Sequence, residues 1–180
     1  MRAHENPFRN SRAQGLRFRG PLPLDQLVAR LAALGYRGTI VGPEGTGKTI
    51  LLRELEAELA ASGLGTKLLR FDDPALLHGV NQETVLMVDG AEKLLWPVHA
   101  FLALTTARLV VTSHGRREGL PVLLQCGADP ELMVELVIEL AGADAALLAR
   151  ARQLFDDKRG NVRAVLSALF DVFAEAPDRP

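Results

Sequence analysis

Gly42-Pro43-Glu44-Gly45-Thr46-Gly47-Lys48-Thr49 is the stretch from which the rest of the chain is read. It satisfies G-x-x-x-x-G-K-[ST] at every defined position. Glycines let a backbone enter positive-φ conformations and turn successive N–H groups inward around an anion. A helix that begins directly behind such a loop adds unpaired amides and the positive end of its dipole. The lysine ammonium can reach terminal phosphates, and the threonine hydroxyl can ligate Mg²⁺. The flanks agree with this reading. Gly38-Thr39-Ile40-Val41 is a β-rich run before the loop. After it, Leu51, Leu52, Leu55 and Leu59 form the apolar stripe of a helix expected over Lys48 to Ser62, with Gly63 as its stop. The binding set read here is Gly42, Pro43, Glu44, Gly45, Thr46, Gly47, Lys48, Thr49 and Ile50.

A phosphate loop needs a carboxylate to hold the metal. Val85-Leu86-Met87-Val88-Asp89 supplies one, at the end of an apolar run without alternation, as expected of a strand covered on both faces. Asp89 falls at the carboxyl edge of the sheet, where ligands bind in open α/β folds. It lies beside Thr49 if the two strands neighbour. Thr49 and Asp89 are therefore the metal set. Hydrolysis also needs a group that orients the attacking water, usually a glutamate directly after the aspartate. Gly90 stands there, and the nearest acid is Glu92. Glu92 reads equally as a water-orienting residue or as a helix-capping acid. Lys48, Asp89 and Glu92 make up the catalytic set.

Further outward, Pro23 opens a helix over Leu24 to Leu34. Strands are expected at Thr66 to Phe71, Thr84 to Asp89 and Arg108 to Thr112, with a fifth at Val122 to Cys126. Asp72-Asp73-Pro74 breaks the second strand, and a helix is expected over Leu94 to Leu104. Strands separated by helices imply parallel pairing, because a crossover needs a dozen or more residues. Beyond that, the chain reads as helical. Asp129-Pro130 caps one helix with the stripe Leu132, Met133, Leu136, Val137 and Leu140. A second covers Asp144 to Phe155. A third starts near Asn161 and buries Val162, Val165, Leu166, Leu169, Phe170 and Phe173. The predicted organisation is a basic N-terminal arm (1–22), a P-loop α/β core (23–127) and a small helical lid (128–176). The fold class is a three-layer α/β/α P-loop NTPase with a mainly parallel five-stranded sheet.

Composition narrows the function classes. A chain of 180 residues, 48% apolar and 24% charged, can bury a core without staples. A net charge of −1 gives no global pull toward nucleic acid or membrane. The single cysteine, Cys126, excludes an intramolecular disulfide framework and fits a reducing, cytoplasmic compartment. No stretch approaches the ~18 uninterrupted apolar residues of a membrane span. His4, His78 and His99 lack metal-ligand spacing. The local anomaly is Met1 to Gly20, with Arg2, Arg9, Arg12, Arg17 and Arg19 against Glu5, and with Phe8 and Phe18 among them. It reads as an arm for DNA or a partner, or as a tail folded back on the domain.

With these motifs in place, the chain resembles the AAA-type (AAA+) P-loop ATPases and their compact bacterial relatives. Gly42 to Thr49 matches Walker A, and the strand ending in Asp89 matches Walker B. Thr112-Ser113 falls where that family places sensor 1. Gly160-Asn161-Val162-Arg163 resembles the start of its late helix, where the sensor 2 arginine points to the γ-phosphate. The resemblance implies ATP and Mg²⁺ as cofactors, with Thr112 and Arg163 joining the nucleotide-binding residues. Three departures stand out: Gly90 for glutamate, a short stretch between the fourth and fifth strands, and a small lid. Arg116 and Arg117 lie in that short stretch and read as a solvated turn or as residues acting across a subunit interface. His114 reads as a strand-end residue or as a contact to the nucleotide.

The leading expectation is an ATP-binding protein that hydrolyses ATP and switches a protein or nucleic-acid partner, as a homo-oligomer or alone. The alternatives are a small-molecule kinase using the same loop, with Arg116 and Arg117 closing over the phosphate, and a non-hydrolysing, nucleotide-gated adaptor. No Asn-Lys-x-Asp guanine-reading pattern is present, so ATP is preferred over GTP.

Overall fold

The computed structural model describes residues 6–8, 15–70, 81–93, 108–115 and 119–175. The expected helix at Leu94 to Leu104, the break at Asp72-Asp73-Pro74, Trp96, the three histidines His4, His78 and His99, and Arg2, Glu5, Arg9, Arg12, Arg116 and Arg117 lie outside the described residues. The described elements are α1 (Leu24–Ala33), β1 (Arg37–Val41), α2 (Lys48–Ala61), β2 (Thr66–Arg70), β3 (Val85–Asp89), a 3-10 turn (Ala91–Lys93), β4 (Leu109–Ser113), β5 (Val122–Gln125), α3 (Pro130–Ala141), α4 (Ala145–Asp157) and α5 (Val162–Glu175).

By its contacts the chain divides into two units. The first comprises Arg17–Gly42 and Gly47–Cys126; the second comprises Met1–Leu16, Pro43–Thr46 and Gly127–Pro180.

The first unit holds a five-stranded sheet of order β2-β3-β4-β1-β5, and all its pairings are parallel. Parallel strands must be buried on both faces, and these are. Ile40, Val85, Met87, Val110 and Leu123 point to the face covered by Leu27 and Leu31 of α1 and Leu51, Leu52, Leu55 and Leu59 of α2. Leu69, Leu86, Val88, Leu109 and Val111 point to the opposite face, with Ala91 and Leu120. The two-residue alternation sorts each strand between two apolar layers, so β3 reads as an unbroken hydrophobic run. Each fully buried leucine of α2 contributes about 1.5–3 kcal/mol of transfer free energy, which outweighs the intrinsic preference of a short helix. Sequence and structure agree on this sheet and on α1 and α2. β4 lies between β1 and β3, so these two strands do not neighbour.

The second unit carries the three C-terminal helices. Asp129 caps α3 by accepting from the N–H groups of Glu131 and Leu132 at 2.9 and 3.3 Å, and Pro130 occupies the first turn. Asp144 caps α4 by accepting from Leu147 N–H at 2.8 Å. The buried stripe of α3 differs by one position from expectation: Val134 is buried and Leu132 is half-buried. In the same unit the described residues of the N-terminal arm are packed. Phe8, 3% exposed, meets Phe173 edge-on with ring centroids 5.2 Å apart. The Asn6 side-chain amide donates to the Phe170 carbonyl at 2.8 Å. Arg17 and Arg19, at the start of the first unit, are exposed.

Thr39, at the centre of β1, is fully buried, and among the described residues its Oγ1 has no hydrogen-bond partner. An orphaned buried hydroxyl is destabilising. The near-isosteric Thr39→Val is therefore expected to raise stability by about 1 kcal/mol, read as a higher urea midpoint at unchanged slope. A lower midpoint would show that the hydroxyl is satisfied.

Candidate functional site

The site residues expected from the sequence fall into two groups, one in each unit. In the first unit they gather at the carboxyl edge of the sheet. β1 ends at Val41, and α2 begins at Lys48 with Gly47 before it in the left-handed region at φ +84°. The N-cap of α2 is Gly47, with no side-chain cap on the helix, the arrangement that suits an anion site. The Lys48 ammonium donates to the Gly42 carbonyl at 2.6 Å, which holds its charge at the mouth of the loop. The Thr49 hydroxyl lies 3.1 and 3.0 Å from the two carboxylate oxygens of Asp89. Thr112, 1% exposed, donates to Asp89 Oδ1 at 2.7 Å and accepts from the Gly90 N–H at 2.7 Å. Asp89 is thus aimed by hydroxyls from α2 and β4. Although its strand does not adjoin β1, Thr49 reaches it because α2 starts above the sheet edge.

The donor set fits Mg²⁺. A carboxylate and a hydroxyl are hard oxygen ligands, and Mg²⁺ keeps several waters or phosphate oxygens rather than requiring an all-protein cage. Among the described residues no group of three or more His, Cys, Asp and Glu could hold a metal ion.

Glu92 sits on the 3-10 turn after β3, and its Oε1 is 3.6 Å from His114 Nε2. Sequence reading names both residues but not the pairing. Cys126 follows β5, and its N–H donates to the Val41 carbonyl at 2.7 Å. Burial pushes its thiol up from 9.0 to about 11, against the Lys48 ammonium, which lowers it. Phe18 is anchored here as well: its N–H donates to Glu54 Oε1 at 2.9 Å. Its ring is close enough that a Cβ built on Gly47 would lie 3.4 Å from it. The aromatic residues set among arginines are the sequence signal for this anchoring.

In the second unit the crown of the loop, Pro43–Thr46, meets the start of α5. The Thr46 hydroxyl donates to the Pro43 carbonyl at 2.9 Å. Gly45 has φ +77°, and a Cβ there would collide with the Asn161 side chain. Asn161 also caps α5, its Oδ1 accepting from Ala164 N–H at 3.1 Å. Arg163 is exposed in the first turn of α5. Gly45 is therefore required twice over, by backbone conformation and by the asparagine against it, and pattern matching sees only the first.

No family profile and no curated protein matches the chain. Its fold, however, has counterparts among solved structures. A structure of NtrX from Brucella abortus in complex with ATP matches with a TM-score of 0.55 at 17% identity, covering 93% of this chain and 56% of that one. AMPPCP-bound DnaA from Aquifex aeolicus matches with a TM-score of 0.59 at 16% identity, over 85% of this chain and 60% of that one. The Aeropyrum pernix ORC1 protein in complex with DNA matches with a TM-score of 0.55 at 14% identity, over 86% and 60%. The chain thus has the fold of the AAA-type ATPases and spans less than two thirds of the length of these structures.

Two outcomes follow from the geometry. Gly45→Ala is expected to lose about 1–2 kcal/mol from the left-handed backbone alone, and more because Asn161 must move. Urea denaturation measures it, and a loss below that range would contradict the close approach. For Cys126 the folded thiol has the higher pKa, so its contribution to stability is complete below the unfolded value and is lost as pH rises through about 11. Wild type is expected to weaken between pH 9 and 11 more than Cys126→Ala does, and native Cys126 to react with iodoacetamide far more slowly than the unfolded thiol.

Proposed function

We propose that the chain binds ATP with Mg²⁺ and hydrolyses it slowly, changing conformation with nucleotide to act on a protein or nucleic-acid partner. The observation that carries this reading is the Asp89 carboxylate held between the Thr49 and Thr112 hydroxyls, with the Lys48 ammonium at the mouth of the adjoining loop. Two of the structural counterparts hold ATP or AMPPCP, and a third is bound to DNA. Exposed Arg17 and Arg19 suit a polyanionic partner.

In this reading the loop amides from Gly42 to Ile50 cradle the phosphates, and Lys48 exchanges the Gly42 carbonyl for phosphate oxygens. Thr49 and Asp89 hold the metal, which neutralises charge on the phosphates when bound. Thr112 keeps Asp89 from turning away. Glu92 accepts a proton from water. Gly90, where an acid is usual, favours a second reading: a nucleotide-gated adaptor that binds ATP without turnover. Among the described residues no helix is long and apolar enough to cross a membrane.

Calorimetric titration with ATP and Mg²⁺ tests the site. Lys48→Ala, which removes a charged hydrogen-bond donor, is expected to weaken ATP binding at least about tenfold, and Asp89→Asn to weaken the dependence on Mg²⁺. Unchanged affinity in Lys48→Ala sinks the assignment. Phosphate release by wild type, measured alongside, separates the ATPase from the adaptor.

A further inference from the structure

We infer that His114 is a positioning residue for Glu92, and that the two together replace the acid that ordinarily follows the aspartate of such a strand. The inference rests on the nucleotide-site reading above. It starts from Gly90, whose φ of +74° lies in the left-handed region. A glutamate at this position would be strained. The Gly90 N–H is also tied to the Thr112 hydroxyl at 2.7 Å, which fixes the direction in which the chain leaves β3. The next acid is Glu92, and its turn is pinned. Ala91, 1% exposed, is buried in the apolar layer with Val88 and Leu120.

His114 stands on a second pinned turn. It follows β4, where the Ser113 hydroxyl donates to the Gly115 carbonyl at 2.7 Å and accepts from the Gly115 N–H at 3.2 Å. Across the gap between the turns, His114 Nε2 lies 3.6 Å from Glu92 Oε1. The pair is partly open to solvent, with 45% of the His114 side chain exposed. A pair so exposed stabilises a fold very little. What it does change is the direction of a long side chain that otherwise samples several rotamers. An acid must be held near its reacting proton to be effective.

In the step served, the water oxygen forms a bond to the γ-phosphorus as the bond from that phosphorus to the β–γ bridging oxygen breaks. ADP leaves with the bridging electron pair. The water proton passes to the Glu92 carboxylate and from there to solvent. His114 touches none of the reacting atoms and acts through Glu92.

The test is steady-state phosphate release and ATP titration on the full chain, with Mg²⁺, for wild type, Glu92→Gln, His114→Ala, His114→Gln and the double variant Glu92→Gln/His114→Ala. Glu92→Gln is expected to lower kcat by about a hundredfold or more. His114→Ala is expected to lower kcat by about tenfold or more, with KM and ATP affinity unchanged. His114→Gln, which keeps a nitrogen donor, should recover most of that loss. In the Glu92→Gln background, His114→Ala should cost nothing further. An unchanged kcat in His114→Ala, or losses that multiply in the double variant, overturns the inference and leaves the nucleotide site standing. Wild type that binds ATP without releasing phosphate does the same. Wild type that does not bind ATP removes both.

Discussion

The Asp89 carboxylate has to point at one place. Hydroxyls on two different elements orient it, Thr49 from α2 and Thr112 from β4. That arrangement exists only because β4 runs parallel between β3 and β1, with Val88 opposite Val111 and Val41 opposite Ser113. The register sets Thr112 beside the end of β3, while the loop that leaves β1 brings α2 over the same edge. Slipping β4 by one residue would turn Thr112 to the opposite face, away from Asp89. The doubly buried sheet makes such a slip costly, so the precision of a few polar atoms is underwritten by the hydrophobic alternation of the strands.

Within the second unit a comparable coupling runs through one asparagine. Asn161 caps α5 and at the same time fills the space over Gly45. Neither job leaves the side chain free to rotate. The loop crown and the first turn of α5 therefore constrain one another, and a ligand that changes the crown changes the conditions under which α5 is capped. Phe8 and Asn6 pack on the far turns of α5, through Phe173 and Phe170. The helix is thus held near both ends by segments distant in sequence.

Most of the element list is legible because it rests on periodicity. The stripe of α2, the apolar run of β3 and the Asp129-Pro130 start of α3 each follow from local rules that tertiary context does not override. Strand order is not legible in that way. Nothing in Gly38 to Val41 or Val85 to Asp89 says that β4 separates them, since parallel neighbours are chosen by packing across crossovers. The candidate site divides along the same line. Lys48, Thr49 and Asp89 come from motifs whose chemistry is written in residue type and spacing. The bonds from Thr112 to both Asp89 and Gly90, the asparagine over Gly45 and the ring of Phe18 beside Gly47 are contacts between distant residues, and only coordinates reveal them. The arm illustrates the difference. Its arginines dominate the sequence reading, yet the structure buries Asn6, Phe8 and Leu16 and bonds the Phe18 N–H to Glu54.

Under the proposed function, Gly90 shows how a departure from a motif need not be a loss. That function sets two demands at the end of β3. The acid proposed to hold the metal must be rigid, and the Gly90 N–H bonded to Thr112 contributes to that rigidity by locking the hydroxyl that aims Asp89. An acid that takes a proton must instead be able to approach and withdraw. Placed at position 90, such a residue would sit in a left-handed backbone, and relieving the strain would rotate the peptide that donates to Thr112. The rigid acid and the mobile acid would then disturb one another. A glycine in that place, followed by a turn anchored through Ala91, separates the two demands by three residues while keeping both acids at the same edge of the sheet. The cost of the separation is a longer lever to Glu92, and a lever of that length is what a neighbouring imidazole can steady.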